Sequence, residues 1–218
     1  MSFAPKLSAL PPAQVALWPE LKTLPPRFVL YGGTALALRL GHRQSVDFDF
    51  FADAPVNPDE LLGSLPLFKG ATVRQKEPNT LTVVVHRPDP VKLSFFGLSL
   101  RRVGDPELTD DGVARVATLW DVAGCKMAVI QARSEAKDYL DIHALLEHGI
   151  PLAEMLASAQ AIYGAQFFAM ISLKALVSFD DGDLPGLPTA VKETLRRAAG
   201  AVREIPEFTP QPGGIAPA

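Results

Sequence analysis

Gly32-Gly33-Thr34-Ala35-Leu36-Ala37-Leu38-Arg39-Leu40-Gly41-His42-Arg43-Gln44-Ser45-Val46-Asp47-Phe48-Asp49-Phe50-Phe51 is the stretch on which the reading of this chain turns. Before it, Arg27 to Tyr31 is a short β-prone run ending on the glycine pair, and Thr34 to Leu40 has helical composition. Glycines at a strand-to-helix turn let the backbone approach a ligand closely. The helix start then offers unpaired N–H groups and a positive dipole end to phosphate. Gly32, Gly33 and Thr34, the last with its hydroxyl, are therefore candidate phosphate-binding residues, although a glycine pair before a helix also makes a plain tight turn. From Val46 to Phe51 aspartate alternates with large apolar residues, which predicts a strand with Asp47 and Asp49 on one face and Phe48 and Phe50 in the core. Two like charges on one strand face repel, and stability alone gives no reason to place them there. A hard divalent cation resolves the conflict, because Mg²⁺ (or Mn²⁺) takes carboxylate oxygens together with substrate phosphates. The competing reading is a solvated strand end carrying two surface acids.

Working outward, Ala13 to Leu24 reads as one or two short helices kinked at Pro19. Asp59 to Leu65 is a short helix with Asn57 as its cap before Pro58. Three strands are predicted at Ala71 to Gln75, Thr80 to His86 and Val91 to Phe96, and the turn chemistry between them makes antiparallel pairing the economical choice. From Thr118 the period changes to helical. Helices are expected from Thr118 to Arg133, Glu135 to Glu147, Leu152 to Ile162, Phe167 to Val177 and Thr189 to Val202. The plan is α+β: a small mixed sheet with flanking helices over 1–117, a helical part of the same unit over 118–204, and a flexible tail over 205–218 that includes Pro217.

With 218 residues, 48% of them hydrophobic and 21% charged, the chain has the composition of an ordinary globular protein that needs no staple. The formal charge of −3 gives no global field toward nucleic acid. One cysteine, Cys125, excludes a disulfide framework and a cysteine-rich zinc site. The first residues lack the pattern of a signal peptide, and no apolar run approaches membrane-spanning length, so the cytoplasm is the expected compartment and no membrane partner is expected.

The Gly-Gly-Thr turn, one short helix and then Ser45 to Phe51 together resemble the opening of the polymerase-β-like nucleotidyltransferase fold. The string from Tyr31 to Phe51 resembles the AbiEii/AbiGii toxin family of that superfamily. Val91-Lys92-Leu93-Ser94-Phe95-Phe96 is similar to that family's next core strand, and Lys126 followed by Lys137-Asp138-Tyr139-Leu140-Asp141-Ile142 is similar to its C-terminal signature. The resemblance runs from Phe28 to Leu146. It implies a Mg²⁺-dependent transfer of NMP from an NTP to an acceptor hydroxyl, commonly by the toxin of a toxin–antitoxin pair, with RNA as one class of acceptor and a cognate antitoxin as partner. Many polymerase-β-like enzymes carry a third carboxylate on a later strand. Here that strand reads Lys92-Leu93-Ser94, and Asp138 and Asp141 are the natural substitutes.

Among the remaining candidates, Arg39 and Arg43 suit either triphosphate contact or a surface helix end. Ser45 suits either orientation of Asp47 or a bond within its own turn. Lys126 interrupts an otherwise apolar helix face between Val122/Val129 and Ala123/Met127/Ile130, and a buried lysine needs an anion. Asp138 and Asp141, three apart, share the next helix face. Their functional assignment puts Lys126 at the triphosphate and Asp141, or secondarily Asp138, near the acceptor hydroxyl; the alternative is an ion pair that fixes packing. The four histidines show no metal-ligand spacing, and Trp120, Met127 and Ile130 read as core. Lys192, Arg196, Arg197 and Arg203 are the local basic face best suited to an RNA acceptor. Rival functions are an antibiotic-modifying nucleotidyltransferase and a non-catalytic nucleotide-binding module of the same fold. A glycosyltransferase is disfavoured by the short stretch before Gly32, and an Asp-x-Asp phosphatase by the lack of a long buried strand before Asp47.

Overall fold

The computed structural model of the chain describes residues 2–215. They fall into two compact units, a sheet unit of 2–100, 105–118 and 212–215, and a helical unit of 101–104 and Leu119–Gln211. The fold class is α+β, as expected.

In the sheet unit, β1 (Ser2–Phe3), β2 (Val29–Tyr31), β3 (Asp47–Ala52), β4 (Thr72–Glu77), β5 (Thr80–His86), β6 (Pro90–Gly97), β7 (Glu107–Thr109) and β8 (Arg115–Val116) make one mixed sheet. Its order is β1-β7-β8-β2-β3-β6-β5-β4. The β4–β5 and β5–β6 pairs are antiparallel, as the turns between them predict. β3 pairs antiparallel with β2 but parallel with β6, so the β4–β6 meander joins the rest of the sheet by a parallel contact. β1, β7 and β8 have no counterpart in the sequence reading; two or three residues are too few to show alternation.

The period-two pattern of β3 sorts its side chains as expected. Phe48 and Phe50 are fully buried, and Phe50 stacks on Phe95 of β6 at 5.3 Å between ring centroids. Phe28 and Phe68 meet the same Phe95 edge-on, so one aromatic cluster seals this face of the sheet. Val46 lies outside the strand and is exposed.

Helix α1 (Pro12–Leu17) gives way to a 3-10 segment, Trp18–Thr23, at Pro19, where the expected break falls. The helix after the glycine pair is α2 (Gly32–Leu40). In α3 (Pro58–Ser64), the Asn57 side chain accepts from the Asp59 and Glu60 amides, as a cap should. At the sheet's edge, β4 is exposed at all six positions and is irregular between Val73 and Gln75.

The helical unit holds α4 (Leu119–Val129), α5 (Ala136–Glu147), α6 (Leu152–Tyr163), α7 (Ala169–Ala175) and α8 (Thr189–Ala201). α4 and α7 fall short of the sequence expectation, α7 also ending at Ala175 rather than Val177. α4 stops at Val129 because the following amides of Gln131 and Ala132 bond carbonyls three residues back, tightening the chain into a turn. α7 starts at Ala169 rather than Phe167. A Cβ at Gly124 of α4 would stand 2.8 Å from Ser158 Oγ and 3.0 Å from the Ala159 amide of α6, so these helices touch backbone to backbone. The segment expected to be a tail is held by contacts. Phe208 meets Trp120 edge-on at 5.7 Å, and the Gln211 amide donates to the Arg102 carbonyl. Ile215 is buried in the sheet unit; Ala216 to Ala218, with Pro217, lie outside the described residues.

Candidate nucleotide and metal site

β2 runs directly into α2 at Gly32, and antiparallel pairing sets Tyr31 opposite Asp49 on β3. The glycine turn and the acidic strand are therefore neighbours by register. Gly32 has φ of +72°, a conformation that favours glycine, and a Cβ there would stand 3.0 Å from Asp49 Oδ2. A Cβ at Gly33 would stand 2.5 Å from Arg43 Nη2 and 3.3 Å from Ser45 Oγ. The turn thus has one aspartate and one guanidinium pressed against bare backbone. The Tyr31 side chain lends the start of α2 no cap.

Thr34 differs from its expected part. Its hydroxyl is buried, donates to the Asp47 carbonyl and lies 2.8 Å from Ser45 Oγ. These bonds fasten α2 to the start of β3 and occupy the oxygen expected to meet phosphate. Ser45, likewise buried, bonds Thr34 and positions the residues before Asp47 in this way. Arg39 reaches the Ala117 and Val116 carbonyls and Glu107, with its guanidinium 4.1 Å from the centre of the Phe3 ring. It braces the β7–β8 side of the sheet and is neither a surface arginine nor a phosphate contact. Arg43, which also donates to the Gln44 carbonyl, is the arginine that stays at the turn.

Parallel pairing of β3 with β6 sets Asp47 opposite Lys92 and Asp49 opposite Ser94. Lys92 Nζ lies 2.8 Å from Asp47 Oδ2, a contact the sequence reading misses. Ser94, opposite Asp49, is buried and brings no carboxylate to this face. Among the described residues no third histidine, cysteine, aspartate or glutamate joins the pair. Two carboxylates and no cage fit Mg²⁺, which completes its octahedron with phosphate oxygens and water; they do not fit a zinc centre of four protein ligands.

In the helical unit Lys126, Asp138 and Asp141 come together as the helix faces predict. Lys126 Nζ lies 2.7 Å from Asp138 Oδ1 and 2.6 Å from Asp141 Oδ2, with both carboxylates fully buried. Arg133, which the sequence reading leaves out, adds a bond of 2.8 Å to Asp138 Oδ2. Burial pushes the Asp138 carboxyl up, but Arg133 and Lys126 together outweigh it and hold the group below its ordinary value. Two cations facing two carboxylates leave the cluster neutral. The basic face of α8 is partly spent: Arg196 and Lys192 lie over the Phe179 ring, at 4.8 and 5.8 Å from its centre, and Arg197 bonds Thr194. No helix of the described residues is long and apolar enough to cross a membrane.

Comparison with known proteins agrees with the fold. The family model described as nucleotidyl transferase AbiEii toxin, type IV TA system, matches residues 17–204. An uncharacterized protein of Aquifex aeolicus (strain VF5) is 34% identical over 157 residues, covering 71% of this chain and 74% of that protein. Two solved structures share the fold. One, assigned as a nucleotidyltransferase from H. pylori, has a TM-score of 0.54 at 19% identity, covering 86% of this chain and 90% of its own. The other is MenT4, a nucleotidyltransferase toxin of Mycobacterium tuberculosis H37Rv, with a TM-score of 0.58 at 16% identity, covering 86% and 81%.

Proposed function

The chain belongs to the nucleotidyl transferase AbiEii toxin family, and on that premise we propose that it moves NMP from a Mg²⁺-bound NTP to an acceptor hydroxyl. The observation that carries this reading is the junction of turn and acidic strand, where Gly32 leaves room for Asp49 Oδ2 at the start of α2. Asp47 and Asp49 hold the metal, which supplies charge stabilisation at the phosphates. The amides of Gly33 and Thr34 and the Arg43 guanidinium receive the triphosphate. The acceptor oxygen bonds to the α-phosphorus as the bond to the bridging oxygen breaks and pyrophosphate leaves. In the helical unit Lys126 holds Asp138 and Asp141 in a buried ion cluster anchored by Arg133, and the acceptor proton passes to water.

The acceptor class is RNA, and the biological setting is a toxin with a cognate antitoxin in the cytoplasm; the family description is what supports this setting. The test is incubation of the chain with each α-labelled NTP, Mg²⁺ and total RNA. Label is expected in RNA with wild type and not with Asp49→Asn. Absence of label for all four NTPs, or equal label with Asp49→Asn, removes the proposal. Expression alone is expected to slow bacterial growth, and Asp49→Asn to restore it.

A second reading is favoured by Ser94, which puts a neutral hydroxyl opposite Asp49. A non-catalytic module of the same fold would bind NTP and release no pyrophosphate. An antibiotic-modifying enzyme would instead label a small aminated or hydroxylated acceptor and leave RNA unlabelled.

A further inference from the structure

Resting on the metal reading above, we infer that Lys92 is a built-in counter-ion for Asp47 that makes divalent-cation binding conditional on the nucleotide. The contact is fixed by the fold, since Asp47 and Lys92 are register partners on adjacent parallel strands with Nζ and Oδ2 at 2.8 Å. Asp47 keeps 32% of its side-chain exposure and Lys92 keeps 44%, so the ammonium can swing away without unpacking anything. It stands on the same face of β6 as Ser94 and adds a positive charge beside the two aspartates.

The consequence is a competition. A metal ion arriving alone meets one carboxylate already neutralised and a positive charge beside it. A doubly charged metal and the lysine about 5 Å apart repel strongly enough, even at the dielectric of water, to lower affinity by roughly tenfold or somewhat more. A triphosphate removes the conflict, because its oxygens bind the metal and also offer the displaced ammonium a new anion. Lys92 is then a positioning residue: it holds Asp47 while the site is empty and turns to the triphosphate when metal and nucleotide enter together. Arg43, already against Gly33, supplies the other cation on the nucleotide's path.

The test is Mn²⁺ titration by electron paramagnetic resonance on the full chain, with and without a non-hydrolysable NTP analogue. Wild type, Lys92→Met, Lys92→Arg and Asp47→Asn are compared. Lys92→Met is expected to bind Mn²⁺ alone roughly tenfold more tightly than wild type, and to lose most of the gain that the analogue brings. Lys92→Arg is expected to behave as wild type. Failure of wild type to bind Mn²⁺ even with the analogue, or unchanged binding in Asp47→Asn, sinks the metal site itself. If wild type binds with the analogue and Asp47→Asn does not, Lys92→Met indistinguishable from wild type in both titrations overturns the role given to Lys92. A folded Lys92→Gln variant is run alongside, so that a misfolded methionine variant cannot decide the matter.

Discussion

Gly32 and Asp49 are in contact by subtraction: the carboxylate oxygen occupies space that any side chain at Gly32 would need, with a Cβ 3.0 Å from Oδ2. Gly32→Ala therefore strains the backbone by about 1–2 kcal/mol and pushes Asp49 off its position. Gly33→Ala meets the movable end of Arg43 and, at 3.3 Å, Ser45 Oγ, and is expected to cost less stability. Calorimetric titration with an NTP analogue and Mg²⁺ should show affinity falling further in Gly32→Ala than in Gly33→Ala. The reverse order would place the phosphates away from Asp49.

Thr34→Ala is expected to act on stability rather than on nucleotide affinity, because the hydroxyl is buried against Ser45 and the Asp47 carbonyl. Losing these bonds should cost about 1–2 kcal/mol, or roughly 2–8 °C in Tm for a chain of this size. Thr34→Ser keeps the oxygen and should recover most of that loss. A Thr34→Ala variant with native Tm but weakened NTP binding would return the hydroxyl to the phosphate.

Lys126 and Asp141 report what the buried cluster is worth to the fold. Lys126→Met takes the ammonium from two fully buried carboxylates, of which Asp138 keeps Arg133, and should cost about 3–5 kcal/mol. Asp141→Asn keeps an oxygen beside the Lys126 ammonium but removes a buried counter-charge, so it should cost about 1–3 kcal/mol. Chemical denaturation measures both, and a Lys126→Met variant as stable as wild type would contradict the ion pairs.

Asp138 gives a pH dependence with a defined sign. Its folded carboxyl titrates below the ordinary aspartate value, so its contribution to stability is present above about pH 4 and drains away as pH falls further, through the folded value. The Tm gap between wild type and Asp138→Asn should be constant from pH 7 to about pH 5 and narrow below about pH 4. A gap that widens on acidification would contradict the ion pairs with Arg133 and Lys126.

Local periodicity made β3 legible, since Asp47-Phe48-Asp49-Phe50 assigns both strand faces without any knowledge of neighbours. The cap at Asn57 and the break at Pro19 were readable for the same reason, as each acts within one helical turn. The Lys126 cluster was half readable: helix faces gave the two aspartates, while Arg133 lies in the turn between helices, where no period applies. The Lys92–Asp47 contact depends on which strands lie side by side and in what direction. A parallel β3–β6 pair joins residues 45 positions apart, and nothing in either local stretch announces it. Thr34 was misread because the glycine turn suggested a ligand for every polar atom near it, whereas the chain end of the following loop returns to claim this one.

The outermost strand, β4, has a bearing on how the protein behaves in company. A sheet edge is a template on which another chain can lengthen the ladder, and a flat apolar one invites fibres. Here Arg74, Lys76 and Glu77 put charge on the rim, and the irregularity between Val73 and Gln75 breaks the even spacing of amides that a foreign strand would need. Colloidal stability is thus written into one strand that takes no part in the chemistry. Crowded solutions should therefore leave the sheet at eight strands rather than extend it.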